Sequence, residues 1–195
     1  GWSIGGSAPT LAAAAARVGA FPLDTGTADA ALLTTLAPGA YSAVISSADA
    51  RAGVGLVEVY DLSGAVLGQR ISNLSVRAFA GADADTLIVG VVVQGTVPKR
   101  LLIRAVGPTL GVFGVGGVLA DPKLEVLSGS TKIAENDNWL AADAAIFGTV
   151  GAFNLTARSL DAALVVFLAP GTYTAQISGV RATTGVALVE IYELP

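Results

Sequence analysis

Residues 29–62 read DAALLTTLAPGAYSAVISSADARAGVGLVEVYDL, and residues 161–194 read DAALVVFLAPGTYTAQISGVRATTGVALVEIYEL. The two stretches align without a gap, 132 residues apart, and more than half of their 34 positions are identical. Self-similarity at a fixed spacing marks a chain built from copies of one structural unit. The match reaches back to Gly19-Ala20-Phe21 and Gly151-Ala152-Phe153, and Trp2 and Trp139 stand at comparable places before them. Tyr41, Ala43 and Ile45 recur as Tyr173, Ala175 and Ile177, while the positions between them drift, as Val44 does against Gln176. One face held and the other varying is the period-two pattern of a half-buried strand. Residues 63–138 occur once, so the chain reads as one full period preceded by the last 62 residues of another. A unit entered in mid-repeat is expected to have lost its opening strands, or to borrow them.

The rest of the chain is punctuated like a β protein. Pro38-Gly39 suits the two central positions of a type II turn, because Pro fixes φ and Gly accepts φ > 0. It predicts a hairpin between strands at residues 30–36 and 41–46, followed by a strand at 54–62. A further pair is predicted at 75–80 and 86–94, with residues 81–85 as the turn. Strands follow at 100–106, 123–128, 132–135, 163–168, 173–178 and 186–194. Short helices are predicted at 9–18, with Ser7 or a neighbour as cap and a run of alanines as strong helix formers, and at 141–147. The expected fold is all-β: two antiparallel β-sandwich modules, Ig-like or jelly-roll-like, with one short helix each, related by the 132-residue repeat. A boundary at Pro98 would make residues 1–97 the first, incomplete module, completed by extra or borrowed strands, and residues 98–195 the second.

Composition excludes most familiar chemistries. Of 195 residues 53% are hydrophobic and 13% charged, with a mean hydropathy of +0.68, which is the opposite of a disordered chain. The chain has no Cys and no His, which removes thiolate chemistry, Ser-His-Asp catalysis and His-based zinc motifs. A net charge of −4 lacks the basic patch of a nucleic-acid binder. No apolar run approaches the roughly 20 residues of a membrane-spanning helix. Residues 1–16 lack the basic start of a signal peptide, so any signal is expected to have been removed. A membrane β-barrel would need aromatic girdles, and the few aromatic residues do not cluster at strand ends.

Several candidate sites have simpler structural readings. Asn136-Asp137-Asn138 is oxygen-rich, but it lacks the further spaced carboxylates of a calcium loop and reads as an Asx-type turn. Glu58 and Glu190 recur inside apolar strands. Buried carboxylates need a partner, and Arg104 or another arginine is the expected one. Residues 111–117 are glycine-rich without the Gly-Lys-Ser/Thr ending of a phosphate loop, and read as a flexible loop. Residues 87–93 combine high β propensity with no charge, the profile of either a central buried strand or a pairing segment. No cofactor or metal is expected.

The blocks Leu102-Ile103-Arg104-Ala105-Val106-Gly107-Pro108, Asn136-Asp137-Asn138-Trp139, Pro170-Gly171-Thr172-Tyr173 and Val189-Glu190-Ile191-Tyr192 carry a resemblance. The second half resembles the bacterial pre-peptidase C-terminal type of β-sandwich, and still more the tandem-repeat surface proteins of environmental bacteria. The resemblance covers residues 70–195, and 19–62 as a second copy; it departs where the first copy lacks opening strands. It implies a secreted, non-catalytic module at the cell surface or outside the cell, and carries no functional residue across. The expected function is a structural subunit of a bacterial fibre or surface array, assembling with copies of itself head to tail by β-strand complementation. The expected interface residues are Trp2, Ile4, Leu87, Val89, Val91 and Val93. The alternative is a carbohydrate- or cell-surface-binding accessory module of a larger secreted protein, with Trp2 and Trp139 as its aromatic platform. An enzyme is not expected, since no nucleophile has a visible base partner.

Overall fold

A computed structural model of the chain describes residue 2, residues 7–63 and residues 70–195. It divides into two units, Gly1–Arg70 and Ile71–Pro195. Ile4 lies outside the described residues.

The second unit is a sandwich of eight strands: β1 (Asn73–Ala80), β2 (Leu87–Val93), β3 (Lys99–Val106), β4 (Pro122–Ser128), β5 (Thr131–Asn136), β6 (Ala162–Leu168), β7 (Gly171–Gly179) and β8 (Gly185–Glu193). One sheet has the order β1-β8-β3-β6 and the other β2-β7-β4-β5. Every pairing between these strands is antiparallel, and the order is that of a jelly roll. Alternation explains the inner faces. In β4, Leu124 and Val126 are buried, while Lys123 and Glu125 turn outward. Leu101, Ile103, Val189 and Ile191 from one sheet meet Val89, Leu124, Val126 and Ile177 from the other in a single core.

The outer face of the β1-β8-β3-β6 sheet is covered as well. Residues 107–119 and 139–160, including the short helix α2 (Ala144–Thr149), lay Leu110, Phe147, Ala152 and Leu155 over Leu102, Val106 and Tyr192. β3 and β8 are therefore buried on both faces. That is why they read as nearly continuous apolar runs rather than as alternation.

Three sequence expectations change at this point. Pro170-Gly171, the counterpart of the Pro38-Gly39 turn from which a hairpin was expected, does not close one: β6 pairs with β3, while β7 pairs with β2 and β4 in the other sheet. β1 and β2 likewise lie in different sheets. Turn chemistry reports that the chain reverses, not which sheet receives it; among the described residues only β4 and β5 form a hairpin between consecutive strands, through Gly129 at φ 57°. The boundary at Pro98 moves to Arg70/Ile71, because β1 and β2 are integral to the same sandwich. The glycine-rich stretch 111–117 belongs to the cover, joined to a 3-10 turn (Pro108–Phe113) that buries Leu110.

In the first unit, the helix α1 (Ala8–Val18) forms where its alanines predict it, and ends on Gly19 in the left-handed region. Ser7 stands at its N-cap but its side chain makes no capping hydrogen bond. Residues 30–36, 41–46 and 54–62, read as strands, form none. The second unit shows the reason. Its equivalents β6, β7 and β8 never pair with one another; each pairs only with β1, β2, β3 or β4. Three such segments without those partners have no ladder to join, and propensity alone does not hold a strand. Among the described residues, no helix is long and apolar enough to cross a membrane.

The contrast yields a paired stability prediction. Ile177→Ala, at a fully buried position, should cost about 2–5 kcal/mol. Ile45→Ala, at the repeat-equivalent exposed position, should change stability by less than about 0.5 kcal/mol. Urea unfolding followed by circular dichroism measures both.

Candidate functional site

The most concentrated chemistry lies under the cover, on the outer face of β3 and β8. Arg104 on β3 and Glu190 on β8 are direct cross-strand partners, and both are buried. Arg104 Nη2 meets Glu190 Oε2 at 2.7 Å, and neither atom has a further hydrogen-bond partner. Arg104 Nη1 donates to the Phe153 carbonyl at 2.6 Å. The guanidinium lies 4.7 Å from the Phe147 ring centroid and 4.4 Å from that of Phe153, so aromatic faces stand in for lost water. The Tyr192 hydroxyl donates to Glu190 Oε1 at 2.7 Å. Burial pushes the arginine's pKa down while Glu190 opposes the shift. Burial, and then the bond to Glu190, push the Tyr192 phenol well above its ordinary range.

Asp161 forms a second buried node. Its carboxylate accepts from the Gly107 amide at 2.7 Å, the Ser159 hydroxyl at 2.5 Å, and both the amide and hydroxyl of Thr109. It ties the start of β6 to the turn that follows β3. Each of these side chains bonds to another protein group, Arg104 Nε alone among the guanidinium nitrogens making neither a hydrogen bond nor an ion pair, and the cover closes over them. The arrangement fixes β3 against β8 and the start of β6 against the turn after β3.

The first unit repeats the local geometry of this region without its partners. The Trp2 amide donates to the Asp29 carbonyl at 2.8 Å, as the Trp139 amide does to Asp161 at 2.9 Å. Tyr41 and Tyr173 donate to the Ala37 and Ala169 carbonyls, each at 2.9 Å. The Tyr60 hydroxyl donates to Glu58 at 3.0 Å, yet among the described residues Glu58 has no arginine. Leu36, Ile45 and Val57 are 55%, 63% and 52% exposed, whereas their equivalents Leu168, Ile177 and Val189 are at most 1% exposed.

The expected site residues fall in different places. Trp2 is buried within its unit, and its indole N–H donates to the Asp24 carbonyl at 2.9 Å. Trp139 packs on Phe147 and donates to Ser159 at 3.1 Å. Trp2 is buried and Trp139 half-buried, and each turns its indole N–H inward. Leu87, Val89, Val91 and Val93 lie on β2, which is neither central nor wholly exposed: it is the outer strand of its sheet. Val89 and Val93 are buried in the core, and Ile88 and Val92 face outward. Asn136 is a structural bracket, donating to the Asn138 carbonyl and accepting from the Ala163 amide, each at 3.0 Å. The pairing of Glu190 with Arg104 is as expected; Asp161 and the two phenylalanines were missed. The one available signal was that an Asp opens both copies, at 29 and 161.

No protein-family model matches the chain, and comparison with the curated proteins finds no significant match.

Two predictions follow from the buried pair. Glu190→Gln should lower stability by about 3–5 kcal/mol, since it strands a buried guanidinium, and Arg104→Met/Glu190→Leu should cost less than either single change. The raised Tyr192 phenol favours the folded state below the ordinary tyrosine value near pH 10. That contribution is lost as pH rises above it, so unfolding free energy should fall above about pH 10, and less steeply in Tyr192→Phe.

Proposed function

We propose that this protein is a non-enzymatic structural subunit of a secreted bacterial fibre or surface array, whose modules join head to tail by β-strand complementation. The observation that carries the reading is the state of residues 29–62. They have the sequence of three sandwich strands, expose the side chains that such strands bury, and form no strand of their own. Unpaired segments of this kind join sheets in other molecules. A head-to-tail contact between unlike surfaces does not close on itself and propagates. β2 adds a second uncharged edge, offered through its backbone and through Ile88 and Val92 rather than through the buried Val89 and Val93. The commitment of Arg104, Asp161 and Glu190 to structural bonds favours this reading over catalysis, as does the resemblance to tandem-repeat surface proteins.

Negative-stain electron microscopy with light scattering tests the proposal on the purified chain. Regular filaments are expected; a homogeneous monomer near 19.4 kDa across the micromolar range would overturn it.

A further inference from the structure

We propose that residues 29–62 are a closing cassette that docks, as β6, β7 and β8 do, onto the β1–β5 half of a copy of this repeat, with Glu58 meeting that half's buried arginine. This inference rests on the strand-complementation reading above and names its two surfaces.

The jelly roll is assembled from two unequal parts. Residues 71–136 supply β1–β5 and residues 161–194 supply β6–β8, and every pairing of the latter runs to the former. Among the described residues, 71–136 form one five-stranded half, and residues 29–62 and 161–194 are two sequences able to close such a half. Residues 161–194 occupy that half in this structure, and residues 29–62 join no sheet among the described residues.

The leftover copy carries the marks of the missing partner. A Cβ at Gly185 would lie 2.6 Å from the Leu119 amide nitrogen and 2.7 Å from the Val118 carbonyl, because that backbone crosses directly over it. Its equivalent Gly53 has nothing within 4 Å, so the close-approach glycine is present where the crossing backbone is not. Asp29 accepts from Thr27 at 2.6 Å as Asp161 does from Ser159, but among the described residues it has no counterparts of the Gly107 and Thr109 donors. Glu58 and Tyr60 keep the bond that Glu190 and Tyr192 make, without the guanidinium. Ala50 and Ala182 even share the same left-handed backbone, φ 59° and 58°. A glycine clearance, an aspartate acceptor and a carboxylate all match one acceptor surface, that of β3 and residues 107–119 between it and β4.

The full-length chain tests this, since it has no native cysteine. Ile103 faces Ile191 across β3 and β8, and Val59 is the repeat equivalent of Ile191. Directly opposed strand residues lie within disulfide reach. In Val59→Cys/Ile103→Cys, the resident strands are disabled by Ile177→Asp/Val189→Asp. Oxidation should then raise the yield of the disulfide joining these positions at least about fivefold over the same cysteines in the otherwise native chain. Adding Glu58→Leu should cut it about tenfold, the effect of 1.4 kcal/mol, which a merely sticky apolar segment would not show. A cross-linked monomer places the accepting half in the same chain and a ladder places it in a second; either supports the docking. An unchanged yield, while Ile103→Cys/Ile191→Cys closes readily in the native chain, overturns it. Should the aspartates prevent folding, Glu190→Gln replaces them as the weakening change, with the same two readings. Filaments without this cross-link would remove the docking and leave the fibre reading; the cross-link without filaments would do the reverse.

Discussion

The structure depends on one constraint of its strand order: the last three strands have no partners among themselves. β6 needs β3, β7 needs β2 and β4, and β8 needs β1 and β3. Each sheet is therefore completed only by joining the two ends of the unit. β3 stands where the demands meet, flanked by β8 and β6 and covered on its outer face. A strand so placed must be apolar on both sides, and Leu101, Leu102, Ile103, Ala105 and Val106 meet that requirement. Arg104 is the single charge among them.

That charge makes sense as a marker of register. Two ions taken out of water gain little net stability over apolar residues of the same size, but a single ion left alone is costly. Because strand side chains alternate, a slip of one residue between β3 and β8 would turn Glu190 to the wrong face and leave the guanidinium unpaired in an apolar layer. The surrounding apolar positions discriminate far less, since Leu, Ile and Val substitute for one another in many registers. The buried pair distinguishes the correct alignment from its neighbours, and the Tyr192 hydroxyl and the Phe153 carbonyl extend that selection to the groups around it.

The sequence made the strands legible and left their partners hidden. Expected strands at 75–80, 100–106, 123–128 and 173–178 lie within β1, β3, β4 and β7 of the structure, because period-two burial and turn residues are local signals. The sheets that β1, β2, β6 and β7 enter were not legible, since Pro170-Gly171 has the same chemistry whether it closes a hairpin or a crossing. The first copy failed for the same reason in stronger form. Residues 30–36 and 54–62 have the propensity of strands, but a strand is a relation between two segments. The Arg104–Glu190 pair could be anticipated because a buried carboxylate demands a cation. The phenyl rings of Phe147 and Phe153 could not, because nothing local in a helix and a loop shows that they close over β3.

The burial of β3 on both sides also has a consequence in time. Synthesis proceeds from the N-terminus, so the strand with the greatest need of neighbours emerges before β6 and β8, both of which follow it. The contacts that finish the sheet are distant in sequence: Asn73 bonds to the Ile191 carbonyl across 118 positions. Long loop closures of this kind make sandwiches fold slowly, on millisecond-to-second scales. Throughout that interval the nascent chain displays its most adhesive strand with both edges open, the condition under which unfinished proteins aggregate. The efficiency of production is thus governed by how quickly β3 is sheltered as much as by the stability of the finished sandwich.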